Sequence, residues 1–352
     1  MESTPKFGAG EDQARVKRQN PSDVPVAVVG LGLMGTSMIA CLLAAGHHVI
    51  GLSRNPDKHR DAADHIRGLL EEMRDEGLLR ADVSKIVSRF CLSGDYSALS
   101  DRSIVFETIA ENMNAKLETI SRIEAAVSPE AVIGSNTSAI PVTLLQQGAS
   151  HPDRILGIHW GEPAHVSRFL EVICGDNTNI RYAERVVALA QFWSKEPTLV
   201  KRDVRGFITN RLMYALMREA FFLVEEGYAT YADVDRSFRN DLGYWATFAG
   251  PFRFMDITGI PAYAMVMEDL FPDLHCGKSV PASMKQMVES GALGVRNAKG
   301  FYEYTPEEAA NWEKLFLKFS YEVRALSAKY PWNAGSIAKD DPANAANAAN
   351  SD

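Results

Sequence analysis

Two ionisable residues stand where an acid/base pair is needed. His159 closes the apolar run Ile155–His159, and Glu171 lies inside the apolar run Phe169–Cys174. A carboxylate within an apolar strand needs a partner, because an isolated buried charge is expensive. A histidine ending the adjacent strand meets that need; the carboxylate would fix one imidazole tautomer and raise its basicity, as general acid/base chemistry requires. Two further polar clusters follow apolar runs: Glu107-Thr-Ile-Ala-Glu111-Asn112 with Lys116, and Ser135-Asn136-Thr137-Ser138. Taken singly, such residues are more often satisfied core groups or helix caps; their weight comes from order and company. His159, Glu162 and His165 also invite a metal reading, but Gly161 and Pro163 interrupt any helix that would align them. No metal is expected.

A second chemistry, phosphate binding, is written in Val26-Ala-Val-Val-Gly30-Leu-Gly32-Leu33-Met34-Gly35. The GxGxxG pattern alone is weak evidence. Here it follows an apolar run and opens a segment of small and apolar residues, Thr36 to Ala45. Gly30 would permit the tight turn, Gly32 close approach of backbone to a pyrophosphate, and Gly35 close helix–strand packing. The helix start at Leu33 and Met34 would offer N–H groups and a positive dipole end. The next apolar run ends in Ser53-Arg54-Asn55 where an acid would hydrogen-bond the ribose of NAD. A hydroxyl beside a guanidinium suits a 2′-phosphate, so NADP(H) is favoured over NAD(H). The alternative is a solvated Arg54 with Asp57 reaching the ribose.

These residues require a scaffold of alternating strands and helices. Apolar runs at Val26–Val29, Val49–Leu52, Ile86–Leu92, Ile104–Glu107, Ala131–Ser135, Ile155–His159 and Phe169–Cys174 alternate with helical spacing such as Ala115–Val127 and Arg181–Ser194. They lack polar alternation, as expected of a largely parallel sheet covered on both faces. Residues 25–203 therefore read as an α/β Rossmann-type domain. After the polar link Lys201–Gly206 come only helical stretches, at Phe207–Glu226, Asp233–Arg239, Tyr263–Leu270, Pro281–Ser290 and Glu307–Lys329, so residues 204–330 read as an all-helical domain for substrate binding and dimerisation. The polar residues 1–24 and the Asn/Ala-rich residues 333–352 read as disordered ends.

The chain's 352 residues suit two domains. A net charge of −8 provides no electrostatic footprint for nucleic acid or an anionic membrane. No apolar stretch is long enough to span a bilayer. The four scattered cysteines suit reduced thiols in the cytoplasm.

The ordered motifs resemble the 3-hydroxyacyl-CoA dehydrogenase family. The resemblance spans about residues 25–305: GLGLMG, Glu111-Asn112 with Lys116, Ser135-Asn136-Thr137-Ser138, His159-Trp160-Gly161-Glu162-Pro163, Leu170-Glu171-Val172 and Gly206-Phe207-Ile-Thr-Asn210-Arg211, followed by Gly250-Pro251-Phe252 with Asp256 and Lys299-Gly300-Phe301-Tyr302. It implies an NAD(P)-dependent dehydrogenase interconverting 3-hydroxyacyl and 3-ketoacyl compounds. His159 would take the hydroxyl proton and Glu171 would orient it. Ser138 would hydrogen-bond the reacting oxygen, and Asn210 the acyl carbonyl. Glu111, Lys116, Glu162 and Arg296 would lie along the cofactor. Two departures stand out. Glu162 replaces a neutral amide of the family pattern, and Glu71, Glu72, Asp75 and Glu76 replace a Lys-rich stretch suited to CoA phosphates. A free 3-hydroxy acid, as in the related carnitine and gulonate dehydrogenases, is therefore an alternative substrate. A retired, purely dinucleotide-binding protein is the alternative of another class. Phe207, Ile208, Leu212, Tyr214, Leu216, Met217, Phe221, Phe222 and Leu223 exceed one buried helix face and predict a homodimer.

Overall fold

The computed structural model describes residues 19–330. The expected disordered ends fall mainly outside these residues. Pro21–Asp23, inside the expected 1–24 extension, form a 3-10 turn capped by Asn20, and Val24 is buried.

The chain divides into two compact units, the first ending at Leu212 and the second beginning at Met213. The first holds one eight-stranded sheet: β1 (Val26–Val29), β2 (Val49–Leu52), β3 (Phe90–Ser93), β4 (Ile104–Glu107), β5 (Val132–Ser135), β6 (Ile155–Trp160), β7 (Phe169–Cys174) and β8 (Glu196–Val200). The spatial order is β3-β2-β1-β4-β5-β6-β7-β8. From β3 across to β6 every pairing is parallel. The chain reverses its winding between β1 and β4, and open α/β sheets bind ligands beyond the strand ends at such a switch point. Helices α1 (Leu33–Ala44), α2 (Asp57–Asp75), α3 (Val83–Val87), α4 (Met113–Ala126), α5 (Val142–Leu145) and α6 (Ile180–Ala190) complete the unit. Val26, Val28, Ile104, Phe106 and Ile158 enter one apolar core and Ala27, Val29, Val105 and Ile133 another. The alternation of side chains along each strand explains this division.

The antiparallel pairing of β6 with β7 matters most for the site. The connection of residues 161–168 is too short for the crossover that parallel neighbours need, so the chain must turn back. The reversal sets His159 directly opposite Glu171 in the ladder.

Two strand assignments change. The run Ile86–Leu92 is not one strand. Asp82 accepts a hydrogen bond from the Ser84 amide and starts the short helix α3, so pairing with β2 begins only at Phe90. Glu196–Val200, absent from the apolar runs above, is a strand parallel to β7. The division between units also falls later than the expected 203/204. Phe207 is fully buried with Val142, Ile173 and Val200, so the chain beyond the link still belongs to the sheet unit.

Helix α7 (Thr209–Glu225) carries the division. The second unit continues with α8 (Tyr231–Asn240), α9 (Leu242–Ala246), α10 (Pro251–Thr258), α11 (Ile260–Leu270), α12 (Ala282–Glu289) and α13 (Pro306–Ser327). Capping boxes at Thr230/Asp233 and Thr305/Glu308 start α8 and α13. Among the helices of this unit only Ala309 and Tyr321 are buried, while Phe252 and Tyr244 are largely exposed. Among the described residues no helix is long and apolar enough to cross a membrane.

Candidate active site

At the end of β1 the chain turns through Gly30 at φ +110°, a conformation that L side chains rarely adopt. A Cβ there would also lie 2.8 Å from the Thr108 carbonyl oxygen. A Cβ on Gly35 would strike the Gly30 carbonyl oxygen, so this glycine lets α1 close onto the turn. Gly32 differs: a Cβ there would meet nothing within 4 Å. Packing does not require that glycine, but a phosphate approaching the backbone does. Gly32 also supplies no side-chain cap to α1, and the helix has no acid in its first turn. The start of α1 at Leu33 and Met34 therefore fits a dinucleotide pyrophosphate.

Ser53 and Arg54 follow β2, on the side of the switch point where the adenosine half of a dinucleotide lies. Arg54 is exposed and Ser53 half-buried. The Ser53 carbonyl accepts a hydrogen bond from His59, and Asn55 accepts one from the Asp57 amide. Asp57 is exposed at the start of α2.

The β4 and β5 ends are tied together below the surface. Glu107 and Lys116 are wholly buried and paired at 2.9 Å. Glu107 also accepts from the Ser135 hydroxyl and the Ile109 amide. The Lys116 ammonium further approaches Glu111 at 3.5 Å. The resemblance sets Lys116 along the cofactor, yet it has no exposed side-chain surface and its charge is engaged by the two carboxylates. It braces the loop that carries Glu111. Glu111 accepts from the Thr137 hydroxyl and the amides of Ser138 and Ala139. Partial burial pushes its carboxyl up, but the Thr137 hydrogen bond, the Lys116 charge and those amides outweigh burial and hold it below the ordinary carboxylate range. Ser138 is exposed at the rim of this brace.

His159 lies at the β6 end, its Nδ1 2.9 Å from Oε2 of Glu171. The other Glu171 oxygen accepts from the Ile208 and Thr209 amides, at 3.1 and 3.0 Å, where α7 begins. Burial pushes the Glu171 carboxyl up; the His159 hydrogen bond, the Thr209 amide, the His159 charge and the Ile208 amide together hold it below the ordinary range. Phe169 stands edge-on to the imidazole at 5.3 Å between centroids and Phe207 lies tilted at 5.9 Å. With Nδ1 committed to a carboxylate, Nε2 is the nitrogen left to exchange a proton with substrate. Asn210, in the first turn of α7, donates to the Ser138 carbonyl at 2.6 Å. His159, Glu171, Ser138 and Asn210 are thus brought together within the first unit.

The other residues of these motifs stand as follows. Glu162 is exposed on the loop between β6 and β7. His165 is buried between Ser37 of α1 and Glu72 of α2. Trp160 is buried and stacks on Trp193 in the core, with the Lys195 ammonium 5.0 Å from its ring centroid. Trp245 stacks on Phe254 within the second unit. Arg296 is exposed in the turn Val295–Asn297 of that unit. Sequence reasoning did not single out Asn136, whose Oδ1 accepts from the Trp160 amide and ties β5 to the His159 strand. Its only sequence signal was membership of the Ser135–Ser138 cluster.

Comparison with known proteins agrees with this architecture. The family model described as "3-hydroxyacyl-CoA dehydrogenase, NAD binding domain" matches residues 25–204, and "3-hydroxyacyl-CoA dehydrogenase, C-terminal domain" matches residues 206–304. The chain is 32% identical over 286 residues to a 5-formyl-3-hydroxy-2-methylpyridine 4-carboxylate 5-dehydrogenase of Mesorhizobium japonicum, covering 80% of this chain and 91% of that protein. It is 29% identical to a probable 3-hydroxybutyryl-CoA dehydrogenase of Bacillus subtilis, covering 79% of this chain and 96% of the other. Among solved structures, a 5-formyl-3-hydroxy-2-methylpyridine 4-carboxylic acid 5-dehydrogenase, described as an NAD+-dependent dismutase, superposes with a TM-score of 0.78 at 29% identity, covering 86% of this chain and 96% of its own. The chain belongs to the 3-hydroxyacyl-CoA dehydrogenase family of nicotinamide-dependent oxidoreductases.

Proposed function

We propose that the protein oxidises a hydroxyl group to a carbonyl, and catalyses the reverse, on a small substrate that carries no CoA. The observation that carries the chemistry is the His159–Glu171 pair, with Nδ1 held at 2.9 Å and Nε2 left for substrate. The bound nicotinamide supplies the hydride acceptor. His159 Nε2 takes the hydroxyl proton as the carbonyl forms, and Glu171 offsets the charge then borne by the imidazole. The Ser138 hydroxyl donates to the reacting oxygen, whose negative charge grows on reduction. Asn210 holds a second oxygen of the substrate. The presence of all four groups supports an active enzyme over a retired one.

The absence of CoA rests on charge. On α2, Asp61, Asp64, Glu71 and Asp75 are exposed, against exposed Lys58, Arg60 and Arg67 nearer its start, and Arg74 is spent on Asp75 at 2.8 Å, so the later turns of the helix are acidic. Such a face repels the phosphates of CoA. The Mesorhizobium relative, whose name denotes a free pyridine carboxylate, supports the same reading. An acyl-CoA substrate is the second reading, favoured by the Bacillus relative. Absorbance at 340 nm separates them. Slow oxidation of reduced cofactor with acetoacetyl-CoA and rapid oxidation with free oxo acids supports a CoA-free substrate; the opposite ranking overturns it.

For the cofactor, Ser53 and Arg54 in place of an acid support NADP(H), whereas the NAD+ dependence of the structural relative supports NAD(H). Arg54→Ala decides: it should raise KM for NADPH about tenfold and leave NADH unchanged if Arg54 reads a 2′-phosphate. A homodimer is supported by the apolar surface of α7, where Leu212 and Tyr214 are each at least 60% exposed. Phe207, expected on that surface, is buried in the sheet unit and takes no part. Light scattering near twice 38.8 kDa is the expected result, and a concentration-independent monomer the contrary one.

A further inference from the structure

The loop between the two dyad strands is held almost everywhere. Lys195 donates to the carbonyls of Ala164 and Ser167 from its buried side. His165 is fixed by Ser37 and Glu72. The Trp160 amide is fixed by Asn136. Gly161 packs so tightly that a Cβ would lie 2.7 Å from the Ser167 hydroxyl. From Trp160 through Phe169 only Glu162 is exposed. Among the described residues no cation lies within ion-pairing distance of its carboxylate. Nearby Lys195 is buried beneath the loop, and Arg168 pairs with Glu196.

Glu162 follows His159 by three residues, at the carboxyl end of β6. With pyrophosphate at Gly32–Leu33 and adenosine over β2, the sheet topology lays the nicotinamide half over the ends of β4, β5 and β6. His159 as the base would stand beside that ring, and the exposed Glu162 leaves the same strand end two residues past Trp160. The oxidised ring is a cation and the reduced ring is neutral. An unpaired negative charge on this rim interacts favourably only with the former.

We propose that Glu162 is a cofactor redox-state selector: its carboxylate makes the site bind oxidised nicotinamide in preference to reduced, poising the resting enzyme for oxidation of its substrate. This rests on the dehydrogenase reading of the site. The chemistry balances without a further partner. A bound nicotinamide would take the hydride from the substrate carbon while His159 Nε2 takes the hydroxyl proton, and Glu162 would then face a neutral ring that it no longer attracts.

The test measures binding rather than turnover. Kd is measured by calorimetry for NAD+ and NADP+, and by cofactor fluorescence for NADH and NADPH, in wild type, Glu162→Gln and Glu162→Asp. In Glu162→Gln the oxidised form should weaken and the reduced form should not, raising the ratio of oxidised to reduced Kd about tenfold. Glu162→Asp should keep most of the preference. Raising salt should narrow the gap between wild type and Glu162→Gln. Equal changes in both forms, or none, would overturn the proposal while leaving the dehydrogenase reading intact. Failure of wild type to bind any of the four cofactors would overturn both.

Discussion

Glu171 faces His159 across the β6–β7 ladder with one oxygen 2.9 Å from Nδ1, while its other oxygen receives the first amides of α7. One carboxylate therefore orients the base and caps the helix that carries Asn210. The helix dipole and the imidazole favour the same charged form of Glu171. This buried carboxylate is stabilised from both sides and is not itself a proton acceptor at neutral pH.

The double duty makes Glu171→Gln informative. The amide can still accept from the backbone, but it lacks the charge that balances an imidazolium. We expect kcat to fall about a hundredfold or more with little change in cofactor Kd. We also expect roughly 1 kcal/mol of stability to be lost with the charge at the α7 start. Steady-state kinetics and thermal melts read the two effects separately. An unchanged kcat would remove His159 from the proposed chemistry.

The glycines of the β1–α1 turn should separate packing from binding. Gly35→Ala sets a methyl against the Gly30 carbonyl, so the apoprotein should lose about 1–3 kcal/mol. Gly32→Ala meets open space at an ordinary φ of −82°, so apoprotein stability should barely change while dinucleotide Kd rises at least about tenfold. Chemical denaturation and calorimetry on both variants check this, and intact cofactor binding in Gly32→Ala would displace the phosphates from this turn.

Acid should destabilise the fold in two stages. Burial lowers the pKa of His47 and of His165 from 6.5, in the latter despite Glu72. The unfolded chain then binds protons that the native state refuses, so stability falls as pH drops through about 6.5. Glu171 and Glu111 act at lower pH. Their native pKa values are depressed, so the stability they contribute is complete above the unfolded carboxylate value of about 4.3 and is lost as pH falls through the native values. Urea unfolding from pH 8 to 4 measures both stages. Replacing His165 with Gln should flatten the first, and an unaltered slope would refute its part.

Thiol chemistry offers an independent check on the sheet. Burial pushes the Cys174 thiol up to about 11, whereas Cys91 and Cys276 are exposed. Alkylation of the native protein at pH 8 should label Cys91 and Cys276 and spare Cys174, as read by peptide mass spectrometry. Rapid labelling of Cys174 would mean that β7 opens in the native state.

Much of this was legible in the chain itself. The continuous apolar strands, the glycine turn at Gly30–Gly35 and the change to purely helical spacing after the link follow from periodicity and backbone freedom, which are local properties. His159 and Glu171 were recognisable as partners because a charge in an apolar strand requires one. Other features were set by contacts between residues distant in sequence. The antiparallel turn of β7 gave the dyad its register. Lys116 entered a sealed pair with Glu107 because helix α4 packs over the end of β4, and no spacing rule distinguishes that from an exposed lysine near a ligand. Trp160 was drawn onto Trp193 in the core, while Glu162, two residues later, stayed in water. Local sequence determined which elements form and which groups are chemically capable; tertiary packing decided which reach the site, because burial and pairing depend on neighbours that only the folded chain brings together.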